Sequence, residues 1–213
     1  MRSVTGRERR ARDQDDNGGR RVLIVDDALD LAGCQRIRLA MDLGAPEAAA
    51  VLDDTIDVDV AVRSTTHIEI DTVTQQFLDR FFNARRGQLE QFYGLTLGAR
   101  EGVSVLRYSA GGFFKPHRDR GLVPSWPAAA RRCIAMVLFL TTSRTLDPSG
   151  TFSGGILRLL SDDGGVERDL PPRAGTFVAF PATTLHEVTP VTAGVRDTVV
   201  DWFYDGDSNV VTA

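Results

Sequence analysis

The second half of this chain constrains its fold most. Six strand-length apolar runs follow one another there, at 103–109, 134–141, 156–160, 176–180, 184–188 and 198–204. Clusters of Gly, Pro, Asp and Ser separate them, which is the punctuation of short strands closed by turns. Such a succession folds into a sandwich, a barrel or a jelly roll. With 213 residues, 42% of them apolar, the chain can bury a sizeable core without disulfides.

The first half reads differently. Residues 1–21 are rich in Arg and nearly devoid of apolar side chains, so a flexible tail is expected. Order is expected to begin with a short buried strand at 22–25. The spacing at 31–43 predicts a helix that turns Ile37, Leu39, Ala40 and Leu43 to the core and ends at Gly44. Residues 45–63 read as an acidic loop containing Asp53, Asp54, Asp57 and Asp59, and 67–70 alternate like a strand. Thr72 and Gln75 have the spacing of a capping box. The helix that follows places Val73, Phe77, Leu78, Phe81 and Phe82 on one face. The whole is expected to be mainly β, with N-terminal helices buttressing the strands, and 22–213 to be a single domain.

Formal charge is −4, which argues against a protein held mainly by phosphate backbones. No apolar run approaches the ~20 residues that span a bilayer, and no apolar run follows the basic N-terminus as in a secretory signal. Cys34 and Cys133 fit reduced thiols of a cytoplasmic protein.

Two of the three histidines occupy telling positions. His117 and Asp119 stand two residues apart, so on extended backbone both side chains point one way. His186, in another strand-like run, can complete a triangular face. Two imidazoles and one carboxylate with open positions opposite are the donor set of non-haem Fe(II) oxygenases. The segment 189–194 reads as a turn, and a hairpin about it would bring Arg196 opposite His186. An Arg beside a metal needs an anionic partner, and its fork grips a carboxylate through two hydrogen bonds. By parity, Arg196, Thr198, Val200 and Trp202 share one strand face. Taken singly, each histidine reads first as a hydrogen-bonded core or surface residue, and Arg196 equally as a surface ion pair with Asp197 or Glu187.

Four stretches, 108–119 (YSAGGFFKPHRD), 153–159 (SGGILRL), 171–180 (PPRAGTFVAF) and 185–191 (LHEVTPV) continuing to Arg196 and Trp202, resemble the Fe(II)/2-oxoglutarate-dependent dioxygenases of the prolyl 4-hydroxylase-like branch. They span about 103–205 in that family's order. The resemblance implies a double-stranded β-helix, the cupin-like jelly-roll barrel. It implies that His117, Asp119 and His186 bind Fe(II), that Arg196 pairs with the distal carboxylate of 2-oxoglutarate, and that Tyr108 donates its hydroxyl to the same cosubstrate. Leu157 and Trp202 would line the pocket. Phe139 departs from the pattern, standing where this branch often carries a cosubstrate-binding Tyr.

The implied reaction consumes dioxygen and hydroxylates an unactivated C–H bond of a prolyl, amino-acid or peptide-like substrate, releasing succinate and CO2, with ascorbate as a reductant. Desaturation and cyclisation stay open, as do the substrate and the oligomeric state. Asp119 favours hydroxylation, because related halogenases lack this carboxylate. Specificity is expected in the loops 45–63, 121–132 and 143–152; Arg118 and Arg120 flank the metal motif and read as solvated charges or as contacts for an anionic group. Two rival readings are a nucleic-acid demethylase of the same superfamily, against which Trp202 stands where a second Arg is typical, and a cupin-like protein that holds a metal without turnover.

Overall fold

A computed structural model gives the fold and describes residues 11–13, 21–48, 51–52, 56–57, 62–122 and 126–206. Most of the Arg-rich segment, and Asp53, Asp54 and Asp59 of the acidic stretch, lie outside the described residues.

Among the described residues strands dominate and lie in two main sheets, in which paired strands run antiparallel. The larger sheet runs in the order β1 (Ala11–Asp13), β2 (Leu23–Val25), β15 (Phe177–Pro181), β11 (Arg132–Phe139), β18 (Arg196–Asp205), β9 (Ser104–Tyr108), β7 (Thr66–Glu69) and β3 (Ala45–Ala48), with β8 (Leu97–Arg100) also pairing β18. The smaller sheet runs β14 (Val166–Leu170), β13 (Leu157–Leu160), β16 (Leu185–Val188), β10 (Phe113–His117) and β6 (Arg63–Ser64). Two short ladders complete the set: β12 (Phe152–Gly154) with β17 (Val191–Gly194), and β4 (Val51–Leu52) with β5 (Ile56–Asp57).

Three helices, α1 (Leu31–Leu43), α2 (Thr72–Asn83) and α3 (Arg86–Tyr93), cover one face of the larger sheet. Strand β11 shows why its sequence lacks alternation. Ile134, Met136 and Leu138 pack under the helices with Ile37, Leu78, Phe82 and Leu89, whereas Ala135, Val137 and Phe139 face the smaller sheet with Leu157 and Leu159. A strand buried on both faces reads as a continuous apolar run. Phe81 and Phe82 meet Phe177 edge-on, at centroid distances of 6.3 and 6.0 Å, fastening α2 to the sheet.

Several expectations are corrected. In α1 the buried positions are Gly33, Cys34, Ile37 and Met41; Leu39 and Leu43 are 63% and 91% exposed. The face that meets the sheet is set by Ile37 and Met41, and the outer leucines find nothing to pack on. Helix α2 is capped by Asp71, whose carboxylate accepts from Val73 N and Thr74 N, rather than by a Thr72–Gln75 box, and Val73 is exposed. The 45–63 stretch is not all loop, since it contributes β3 and the β4–β5 ladder. Strand β10 and helix α3 have no counterpart in the expected elements. The 189–194 segment is no hairpin turn: most of it is β17, paired with β12, and the chain passes from the smaller sheet to the larger one. Arg196 therefore pairs across strands with Tyr108, and not with His186.

Candidate active site

The two sheets enclose a cavity of about 560 Å³. Its lining includes His117, Asp119 and His186, and also Tyr108, Leu157, Arg196 and Trp202. All seven residues singled out from the sequence thus meet in one space, though Arg196 arrives on a different sheet from the one expected.

The histidines belong to the smaller sheet. In the β10–β16 ladder Phe114 lies opposite Val188, and His117 opposite His186, so β10 spends three residues where β16 spends two. This bulge re-aims His117 toward His186. The ring centroids stand 4.2 Å apart. His117 Nδ1 lies 2.8 Å from Lys115 O, and His186 Nδ1 lies 2.9 Å from Thr184 O. A carbonyl only accepts, so each Nδ1 carries a proton and Nε2 is the atom left to serve as a metal donor. Asp119 sits in a bend beyond β10. Its Oδ1 is 3.6 Å from His117 Nε2 and its Oδ2 is 3.6 Å from His186 Nε2. One donor atom from each of the three residues falls within 4.8 Å of the others.

The surroundings hold these groups in the states a metal needs. Burial pushes His186 down to about 4, with the neighbouring His117 adding to the effect, so the imidazole stays neutral. Burial alone would raise Asp119, but His186, His117 and Arg132 outweigh it and hold the carboxyl well below its usual range. Phe114 stacks on His117 at 3.5 Å and Phe180 meets His186 at 5.0 Å, so both rings are packed in place.

Arg196 faces the same cavity from β18. It is 1% exposed, and its Nε and one terminal nitrogen find no hydrogen-bond partner among the described residues. Its guanidinium lies 4.8 Å from the Tyr108 ring centre and 5.5 Å from that of Phe139. Burial lowers its pKa, against the opposing effect of Tyr108 and Asp197. A buried, unmatched cation is costly unless an anion joins it. Gly155, at φ +59°, lies against this side chain; a Cβ there would stand 2.9 Å from Arg196 Cδ, so this glycine makes room for the guanidinium stem. The alternative surface pairing of Arg196 is absent among the described residues: Asp197 bonds Arg38 and Arg107, and Glu187 bonds Arg158. Arg118 and Arg120 pair with Asp162 and Asp205.

Glu101 and Phe114 also line the cavity and were not singled out from the sequence; Arg63, Trp126 and Arg132 line it too, in the 45–63 and 121–132 stretches where specificity is expected. Strand β10 would have revealed Phe114, but Lys115 and Pro116 disguise it. Nothing in the local pattern distinguishes Arg132 from its neighbour Arg131.

Residues 103–204 match the family described as the 2OG-Fe(II) oxygenase superfamily. A PKHD-type hydroxylase of Nitrobacter winogradskyi is 31% identical over 153 residues, 67% of this chain and 62% of that protein. A PKHD-type hydroxylase of Synechococcus sp. (strain JA-3-3Ab) is 36% identical over 100 residues, 47% of this chain and 41% of that protein. Residues 103–204 belong to the 2OG-Fe(II) oxygenase superfamily. Among solved structures, the Pseudomonas putida prolyl-4-hydroxylase shares the fold at a TM-score of 0.65, with 23% identity, covering 86% of this chain and 92% of that one. A prolyl hydroxylase of Trichoplax adhaerens, solved with a hypoxia-inducible-factor peptide, aligns at 0.70 with 16% identity, covering 90% and 87%. The oxygenase superfamily uses Fe(II) and 2-oxoglutarate. The residues of this member suit both: two imidazoles and a carboxylate match Fe(II), and a buried guanidinium with two nitrogens unsatisfied among the described residues matches a dicarboxylate. Among its described residues no helix is long and apolar enough to cross a membrane.

Proposed function

We propose that the protein is an Fe(II)- and 2-oxoglutarate-dependent hydroxylase acting on an unactivated C–H bond of a prolyl, amino-acid or peptide-like substrate. His117, Asp119 and His186 hold the metal, and Arg196 takes the distal carboxylate of 2-oxoglutarate with the Tyr108 hydroxyl beside it. Leu157 and Trp202 form apolar walls. One observation carries this reading: three donors converge on one cavity with a buried Arg196, two of whose nitrogens have no partner among the described residues.

The bound iron, with 2-oxoglutarate and dioxygen, supplies the oxidising power, and succinate and CO2 leave. The chain's own groups do the placing. The Lys115 and Thr184 carbonyls keep both Nε2 lone pairs turned inward. Arg196 fixes one end of the cosubstrate, so its other end is presented to the donor triad. Phe114, Phe180 and Leu157 exclude water from the reacting centre. Phe139 offers no hydroxyl, which leaves Arg196 and Tyr108 to anchor the cosubstrate. Asp119 occupies the carboxylate position, which favours hydroxylation over halogenation.

The active domain is 22–213, with its metal and cosubstrate core at 103–205, in the cytoplasm. The chain spans 41% of the Synechococcus relative's length, so substrate and partners are not carried over from it. The test is succinate release from 2-oxoglutarate with Fe(II) and ascorbate, coupled to mass spectrometry for a gain of one oxygen in peptides, free amino acids and metabolite extracts. Turnover in the parent and none in His117→Ala is expected. A parent that binds Fe(II) and 2-oxoglutarate yet forms no succinate with any substrate favours the cupin-like binder; oxidation of a methylated oligonucleotide alone favours the demethylase.

A further inference from the structure

Asp119 differs from the two histidines in its support. They lie on paired strands, whereas Asp119 lies in a bend with no ladder of its own. Besides the ion pairs of Arg118 and Arg120 with Asp162 and Asp205, three hydrogen bonds hold that bend. Arg120 N donates to Ala182 O at 2.9 Å, and the Arg118 guanidinium donates to Thr183 O; both tie it to the turn that precedes His186. The third comes from the larger sheet. Arg132, 5% exposed at the start of β11, donates through Nη1 to the main-chain oxygen of Asp119 at 3.2 Å. The rest of its fork is engaged by Glu101, with Nε to Oε2 at 2.6 Å and Nη2 to Oε1. Glu101 is itself anchored, since its N–H donates to Trp202 O at 2.9 Å, and the Arg132 guanidinium lies 3.9 Å over the Trp202 ring.

We propose that Glu101 and Arg132 are positioning residues for the metal site: Glu101 fixes the Nε–Nη2 edge of the guanidinium so that its remaining nitrogen pins the carbonyl of Asp119, setting the carboxylate at the right place before metal arrives. This rests on His117, Asp119 and His186 being the metal ligands. A planar fork held bidentately has a set direction, which a lysine ammonium lacks. Partners that orient a ligand in this way typically govern metal affinity by about 10–100-fold.

The experiment measures Mn(II) binding by calorimetry, without 2-oxoglutarate, alongside thermal unfolding of the metal-free protein. Arg132→Lys and Glu101→Gln are expected to fold and to bind Mn(II) about 10–100-fold more weakly than the parent. Either variant binding within twofold of the parent overturns the proposal. Should either unfold, the double variant Glu101→Leu/Arg132→Met replaces the buried pair with apolar groups, an exchange that folds tolerate. Its Mn(II) affinity is expected to stay about tenfold or more below the parent's, and a return to the parent value overturns the proposal. His117→Ala separates the two levels. Loss of binding there with full binding in Arg132→Lys sinks the positioning role alone; unchanged binding in His117→Ala sinks the ligand assignment and this proposal with it.

Discussion

On the inner face of β18, Arg196 is buried with two nitrogens unsatisfied among the described residues, whereas its neighbour Asp197, turned to the outer face, is buried with every charge matched. Asp197 accepts from Arg38 Nε at 2.9 Å and from Arg107 Nε at 2.8 Å, and Arg107 reaches Asp42 as well. Asp201, four residues on and also outward, is bonded by Arg100, Gly102 N and Trp202 N. Inward of the same strand, Trp202 Nε1 is another buried donor without a partner among the described residues. One strand thus carries two kinds of polar burial. The outer kind is complete within the chain and holds helices and strands together. The inner kind, at Arg196 and Trp202, lacks partners among the described residues and stands open to what enters the cavity, whereas the inward Thr198 hydroxyl donates to Leu138 O at 2.9 Å.

Substitutions at the two neighbours test that contrast. Asp197→Ala leaves two arginines facing a buried void, and breaking such a pair from one side costs about 3–5 kcal/mol. Denaturant unfolding checks this; a loss below about 1 kcal/mol would place Asp197 with ordinary surface pairs. Arg196→Met is expected to act oppositely. It removes an unmatched cation, so stability stays level or rises. Under the proposed function, 2-oxoglutarate binding weakens about 100-fold or more, the scale of losing one partner of a buried charge pair. A variant destabilised like Asp197→Ala, with cosubstrate affinity intact, would make Arg196 a structural residue and merge the two faces.

Asp201 gives a smaller effect that pH can read. Burial raises its pKa to about 6, although Arg100 and the Trp202 and Gly102 amides pull the other way. An unfolded carboxyl releases its proton near 3.8. Between those values the folded chain holds a proton that the unfolded chain has lost. Stability from this group is therefore full below about pH 4 and falls as pH rises through 6. Relative to Asp201→Asn, which cannot titrate, the parent is expected to lose about 2 kcal/mol between pH 4 and pH 7. A parent that gains on the variant as pH rises would mean that the Arg100 pair, not burial, rules the site.

The legible part of this molecule was the part written in residue types. An HxD pair, a distant His and an Arg ten residues further on can be found without knowing any strand pairing, because metal and carboxylate recognition demand those side chains. What stayed hidden depends on the path of the chain. The bulge that sets His117 opposite His186 leaves no mark in the letters. The 189–194 segment has turn residues, yet it pairs with β12 and crosses between sheets, a choice made by distant strands. Glu101 and Arg132 are 31 positions apart and look like surface charges until the fold buries them together. Periodicity found α1 and misplaced its face, since Leu39 and Leu43 fit a helical stripe as well as Ile37 and Met41 do.

Helix α1 extends the comparison to its weakest case. Its inner side carries Ile37 and Met41 into the core and sends Arg38 to Asp197, so both apolar and ionic contacts of α1 fall on the side that meets the sheet. Leu43, 91% exposed, touches neither system. Leu43→Lys is therefore expected to shift unfolding by less than about 0.5 kcal/mol, as surface changes away from packed features do. Ile37→Ala, one turn and a half earlier, is expected to cost about 2–5 kcal/mol through the cavity it leaves. Equal losses at the two positions would show that the outer leucines are buried in solution, and the helix would then have no free face to set against its packed one.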